Sequence, residues 1–515
     1  MLTMLSALDN ALRLHGDQPA IVDEEQNFTW FEHVARVAKA AGLLAELGVH
    51  PGDRFGIICE NSFRYTELIH AGYWGGAIAV PINHRLAVPE ILQILVDADC
   101  KALLLGRDYL EIAEAAGMSP WRDKTIYVGA SDDKVSRPQY EGLLKNAPSA
   151  PQCPVVENDL AILLYTGGTT GRSKGVQLSH KNVYSNGMQM AIAMGAVPSD
   201  IYLHAAPMFH AADLLSTGFT LVGAAHAYLP AFTPTASLEV IQKYGVTATM
   251  KAPTMIIMNL THREFEKYDT SSLRIMLYGS SPMAAEWVQK SIEGFLHTQI
   301  VQGYGLTETS PIVSFLDWKT HKNAVETGDA NVLRSAGRPI IGLDMKITDD
   351  NGNDLPVGEV GEVTVRGPQV SNGYLNRPEE TQRSFRDGWF YTGDVGRMDE
   401  KGLMYLLDRK KDMIVSGGEN IYTSEVEAAL YQHADIQECA VVGVPDDKFG
   451  EALFAVIVPR EGKKLDKANI IEHCRKRIGG FKIPRHMDFV TEMPKSAMGK
   501  ILKNELRRIY GKTEK

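Results

Sequence analysis

Short apolar runs without polar alternation recur through the first part of the chain, each set apart from the next by a segment with helical spacing. RFGIIC (Arg54 to Cys59), AIAVP (Ala77 to Pro81) and ALLL (Ala102 to Leu105) read as strands buried on both faces. Between and around them, Phe28 to Leu47, Ser62 to Gly75 and Pro89 to Asp97 place apolar residues three and four apart, as amphipathic helices do. Strands of that kind alternating with helices specify an α/β fold, a parallel sheet covered by helices on both faces. At 515 residues the chain is longer than one core requires, and length alone suggests about three domains or subdomains.

From about residue 335 the texture changes. MKITD, GEVTVRG and GLMYLLD alternate and are separated by the turn signals DDNGND, PVGE and DEKG, which predicts antiparallel strands and a small β-barrel. DDNGND lacks the glycine that a calcium loop needs after its third ligand position, so it reads as a hairpin turn. Beyond Asp412 lies a smaller α+β unit with helices at Ser424 to Gln432 and Asp466 to Ile478, strands CAVVGVP and ALFAVIVP, and a last helix in the basic tail. DRKKDMI, charged and without an apolar face, reads as the connection between two bodies.

The net charge of -10 argues against nucleic acid as a partner, which would call for a basic excess. Five scattered cysteines suggest neither a disulfide framework nor a metal pair, and hence a reducing, cytoplasmic setting. The first residues, MLTMLSALDNALRLHGD, do not read as a signal peptide, and no run reaches the ~18 apolar residues of a membrane span. Contact with a membrane surface and a homodimer are left open.

Between Tyr165 and Gly175 stands YTGGTTGRSKG, with four glycines, four hydroxyl residues and two cations. Such a mix suits a loop folding its backbone around a polyphosphate, although Lys174 precedes the last glycine instead of following one as in a Walker A loop. Four further patches suit a nucleotide. QGYGLTETS offers an aromatic ring, a hydroxyl and a carboxylate; WFYTGD ends in an acceptor for ribose hydroxyls; DRKKDMIVSGGEN and PKSAMGKI supply cations beside glycine turns. His204 and His210, six apart, read by themselves as structural histidines, and Lys251 in TMKAPT as a lysine snorkelling to solvent.

In this order, over more than three hundred residues, the motifs resemble those of the adenylate-forming superfamily, most of all its fatty acyl-CoA synthetases, with 4-coumarate-CoA ligases close by. The resemblance implies a large N-terminal domain of two α/β sheets and a barrel (1–408), a hinge at 409–411 centred on Lys411, and a mobile C-terminal lid (412–515). It implies an AMP-forming acid:CoA ligase that uses ATP, Mg2+ and coenzyme A on a small-molecule carboxylic acid, a medium- or long-chain fatty acid first. An aryl or dicarboxylic acid, transfer to a carrier protein, or a non-catalytic nucleotide-binding regulator are the alternatives.

By the same resemblance, Thr166 and Glu308 hold the metal. Gly167, Gly168, Thr169, Thr170, Gly171, Ser173 and Lys174 grip the phosphates, and Thr307 contacts the α-phosphate. Gly279, Ser280, Ser281, Gln302, Gly303 and Tyr304 surround the adenine, Asp394 and Arg409 hold the ribose, and Lys500 bridges carboxylate and α-phosphate. Gly417, Gly418, Lys482 and Arg485 meet CoA. Phe209, His210, Leu214, Met250, Lys251, Pro311 and Ile312 border the acyl pocket, with His210 near the access of acyl group and thiol and Lys251 a candidate for a second polar group on the substrate.

Overall fold

The computed structural model describes residues 1–115, 117–166, 173–281, 283–446, 448–495 and 501–511. Two sheets dominate the first part. The smaller has six strands in the order Thr125–Tyr127, Cys100–Leu105, Arg54–Ile58, Ile78–Pro81, Leu160–Thr166, Lys174–Ser179, parallel except for the last pair. The larger has nine. Its parallel centre runs from Gln299–Gly305 through Ile275–Tyr278, Ala248–Lys251, Ile201–His204 and Ala225–Tyr228 to Pro19–Val22, and antiparallel strands flank both edges.

The helices start where side chains can cap them. Ser62 accepts from the Tyr65 amide ahead of helix Phe63–Gly75, and Ser179 and Asn182 form a reciprocal capping box ahead of His180–Met194. Helix Trp30–Glu46 begins two residues later than the sequence predicts, because Asn27–Thr29 is spent on an edge strand and Thr29 then caps the helix. One core cluster combines Val34, Val37 and Leu44 of this helix and Tyr65 and Leu68 of the next with Phe55, Ile57 and Leu104 of the six-stranded sheet and Ile21 and Tyr228 of the nine-stranded one. Each such aliphatic or aromatic side chain contributes roughly 1.5–3 kcal/mol on burial.

The short strands expected as a barrel form a third sheet, traced as an open path Asp344–Thr348, Gly361–Arg366, Trp389–Met398, Phe385–Arg386, with Met404–Arg409 branching from the long strand. DDNGND is the hairpin turn expected: Asp349 accepts from the amides of Asn351 and Asn353. The chain divides into two compact units, one of Met1–Met345, Val365–Phe390 and Lys401–Met404, the other of Lys346–Thr364, Tyr391–Glu400 and Tyr405–Lys515. In the second, Ile436–Asp446 and Gly450–Pro459 form a long antiparallel pair, and His486–Phe489 runs parallel to the latter. Helices Thr423–Tyr431 and Lys467–Arg475 pack Val426, Leu430, Ile470 and Cys474 against it. Among the described residues no helix is long and apolar enough to cross a membrane.

Candidate active site

Strands Leu160–Thr166 and Lys174–Ser179 form a hairpin whose register sets Thr166 opposite Lys174. The turn between them, residues 167–172, lies outside the described residues, and with it the expectations for Gly167, Gly168, Thr169, Thr170 and Gly171. Below the mouth, the Tyr165 hydroxyl donates to Asp97 at 2.7 Å, and burial together with that carboxylate raises the phenol's pKa. Lys174 Nζ lies 2.8 Å from Glu380 Oε2 and 5.2 Å from the centre of the Tyr374 ring. The pair is partly exposed, so its net worth is about 1 kcal/mol or less, within reach of a competing anion.

Glu308 sits on the single turn Thr307–Thr309, which packs beside strand Lys174–Ser179. Thr309 closes the turn, accepting from the Leu306 amide and donating to the carbonyls of Leu306 and Pro311. The Tyr374 hydroxyl donates to Glu308 Oε1 at 2.8 Å, and the Ser371 amide donates to the Glu308 carbonyl at the same distance. Thr166, Lys174, Thr307 and Glu308 are thus brought into one region.

The residues expected around the adenine also adjoin. Tyr278 pairs with Gln302, so the Gly279–Ser281 turn leaves its strand beside Gly303. A Cβ on Gly279 would stand 2.6 Å from the Gly303 carbonyl oxygen, an approach only glycine permits, and Ser280 takes a left-handed φ of 69°. Among the described residues Gln302 Oε1 is buried without a hydrogen-bond partner, and Tyr304 is half-buried. These turns lie at the carboxyl ends of parallel strands, where open α/β sheets bind ligands.

Of the expected acyl-pocket residues, Phe209, Leu214, Met250, Pro311 and Ile312 are buried. His210 caps the turn Ala211–Ser216, its Nδ1 accepting from the Ala212 amide, and Asn186 holds Ile312 through both its backbone groups. Lys251 departs from expectation. It is 0% exposed, and its Nζ donates to Ser237 and Asn259 at 2.8 and 2.7 Å, so it neither snorkels nor offers its ammonium to solvent. Burial brings its pKa down to about 7. His204 is structural, buried against Asp213 at 2.6 Å and His226 at 3.0 Å.

In the second unit Arg409 Nε lies 2.6 Å from Asp394 Oδ1, bringing the two ribose candidates together. Gly393 donates its amide to Glu362, whose other oxygen holds Lys410 at 3.0 Å. Gly417 and Gly418, at φ 62° and 86°, make the two-residue turn of the hairpin Ile414–Ser416 and Glu419–Ile421, a geometry glycine suits. Phe449 lies against this turn, and the Arg485 guanidinium stacks 3.6 Å from its ring centre. Lys482 is committed to Glu425 at 2.7 Å. Lys411 is exposed, and Lys500 lies outside the described residues.

Sequence reading missed Asp97, Glu380, Tyr374 and Asn61. Asn61 is buried and makes three backbone hydrogen bonds, donating to the carbonyls of His204 and Ala206 and accepting from the Met208 amide, so it fixes the turn that carries Phe209 and His210. Its one sequence signal is an amide side chain two residues beyond the largely apolar run RFGIIC.

The AMP-binding enzyme family matches residues 8–375, and the AMP-binding enzyme C-terminal domain matches 425–500. The chain belongs to the AMP-binding enzyme family, the adenylate-forming superfamily, and within it to the acyl-CoA synthetases. It is 37% identical over 485 residues to a feruloyl-CoA synthase of Amycolatopsis sp, covering 94% of each chain. It is 33% identical to a long-chain-fatty-acid–CoA ligase of Bacillus subtilis, covering 98% of this chain and 94% of the relative. Among solved structures, ATP-bound MatB from Rhodopseudomonas palustris superposes with a TM-score of 0.89 at 29% identity, over 100% of both chains.

Proposed function

We propose that the protein joins a carboxylic acid with a largely apolar body to coenzyme A in two steps: acid and MgATP give acyl-AMP and pyrophosphate, then acyl-AMP and CoA give acyl-CoA and AMP. The observation carrying this reading is the convergence of Thr166, Lys174 and the Glu308 turn at one hairpin mouth, where cation, hydroxyl and carboxylate match a magnesium–polyphosphate group. A carboxylate cannot expel oxide, so transfer to AMP supplies the leaving group. Charge then gathers on phosphate oxygens, and catalysis is positioning plus electrostatic stabilisation.

The residues fit Mg2+. Tyr374 occupies one oxygen of Glu308 and leaves the other, and Thr166 adds a hydroxyl. These are hard oxygen donors, and among the described residues no group of three His, Cys, Asp or Glu converges, which suits an ion that shares its remaining positions with phosphates and water. Bound there, Mg2+ would neutralise charge on the phosphates. Lys174 and Ser173 take the outer phosphates, Thr307 the α-phosphate, Gln302 Oε1 the adenine amine, and Asp394 with Arg409 the ribose. Lys500 bridges carboxylate and α-phosphate in the first step, with Lys411 as pivot of the 409–411 connection. Gly417, Gly418 and Arg485 serve CoA in the second.

For the acid, the 37% identity to a feruloyl-CoA synthase favours an aryl-propenoic acid, ahead of the fatty acid that the sequence motifs put first; the 33% identity to a long-chain ligase keeps the fatty acid as second reading. Pyrophosphate release across hydroxycinnamic, benzoic, medium-chain, long-chain and dicarboxylic acids, followed by CoA thioester detection, tests both levels. Preference for fatty acids reverses the substrate order, and no acid-dependent release overturns the reaction.

A further inference from the structure

The segment Ser371 to Leu375 belongs to none of the motifs that point to nucleotide, yet it meets two of the residues that do. It lies along strand Lys174–Ser179: Gln177 donates to the Gly373 carbonyl at 3.0 Å, Asn372 to the Gln177 carbonyl at 3.2 Å, and Leu375 to the Gly175 carbonyl at 2.8 Å. Val176 and Tyr374 form a bridge, and the Tyr374 amide donates to Thr381 Oγ1 at 3.0 Å. The tyrosine is 8% exposed, with its ring edge-on to Phe385. From this fixed place its hydroxyl reaches Glu308 Oε1, while Ser371 holds the backbone of the same glutamate and Lys174 lies over the ring face.

A glutamate on a single-turn element has three soft side-chain torsions and would spread its carboxylate over several positions. A donor on one oxygen fixes the plane of the group and leaves the second oxygen's lone pairs facing one direction. Resting on the assignment of Glu308 as a cation ligand above, we propose that Tyr374 is a positioning residue for the divalent cation, its hydroxyl locking one Glu308 oxygen so that the other is presented to a metal–nucleotide complex at the Thr166–Lys174 mouth. A carboxylate oxygen only accepts, so in this contact the phenol hydroxyl is the donor.

Tyr374→Phe removes only the hydroxyl, keeping the ring against Phe385 and under Lys174. The probe is Mn2+ with ATP, titrated against the full-length protein by electron paramagnetic resonance, with Glu308→Gln alongside. Tyr374→Phe should weaken Mn2+ binding in the nucleotide complex by ~10-fold, the size of a lost hydrogen bond to a charged group, with an unchanged melting temperature. In pyrophosphate release, raised Mg2+ should restore its kcat, whereas a merely structural role would depress kcat at every Mg2+ concentration. A Tyr374→Phe titration that overlays the wild type while Glu308→Gln binds weakly overturns the role of Tyr374. Both overlaying the wild type overturns the assignment of Glu308 itself.

Discussion

Two lysines at strand ends, in two regions of the first unit, show how differently one fold treats the same ammonium. Lys174 opens strand Lys174–Ser179, partly exposed, paired with Glu380 and lying over a tyrosine ring. Lys251 closes strand Ala248–Lys251, wholly buried, held by a hydroxyl and an amide, with the Phe295 ring 6.0 Å away. The first has a carboxylate partner and partial exposure to solvent. Neutral partners cannot repay the desolvation of the second, and its pKa falls to about 7. Under the proposed phosphate role, Lys174 sits near the surface with a counter-ion it can leave; Lys251, which ties helices Pro234–Tyr244 and Pro253–Leu260 to a strand, sheds its charge readily.

The contrast can be broken by exchanging consequences. Lys174→Met should lower kcat/KM for ATP by ~10²-fold, the scale of losing one charge-stabilising donor, with little change in melting temperature. A large loss of stability instead would make Lys174 a structural residue. Lys251→Met should leave ATP kinetics within about twofold and act on stability.

That effect has a definite dependence on pH. The folded pKa of Lys251, about 7, lies below its ordinary value of 10.5, so between these limits the unfolded chain binds more protons and the lysine's contribution to stability improves as pH rises. Relative to Lys251→Met, the wild type should therefore gain stability from about pH 7 to pH 10, at a slope of at most ~1.4 kcal/mol per pH unit, measured by denaturant unfolding. Parallel curves would mean that Lys251 keeps its ordinary pKa.

Smaller still is the effect of freeing Lys174 from its resting partner. Glu380→Gln should lower KM for ATP by about two- to fivefold, the worth of a half-exposed ion pair. A raised KM would show that Glu380 orients the lysine instead of competing for it.

Sequence reading reached far where the signal was local. The helix expected over Ser62 to Gly75 forms from Phe63, with Ser62 as its cap, and DDNGND turns as its spacing requires. The oddity of Lys251 was visible, but its direction was not, because a lone lysine beside apolar residues reads equally as a stem reaching water or as a buried donor until Ser237 and Asn259 are seen around it. The added edge strand Asn27–Thr29 escaped for a similar reason: FTWFEH carries a helical pattern, and only pairing with Pro19–Val22 draws its first residues away.

The sequence by itself determined the parallel α/β architecture, through apolar runs that demand burial on both faces, and the ordered motifs that place the chain among adenylate-forming enzymes. Only tertiary structure decided what holds those motifs. Tyr374 meets Glu308 across 66 residues, Asp97 meets Tyr165 across 68, and Asn61 meets Met208 across 147. Periodicity records which face of an element is apolar; a single side-chain hydrogen bond between distant segments has no period, and it exists only once the sheets have set their ends side by side.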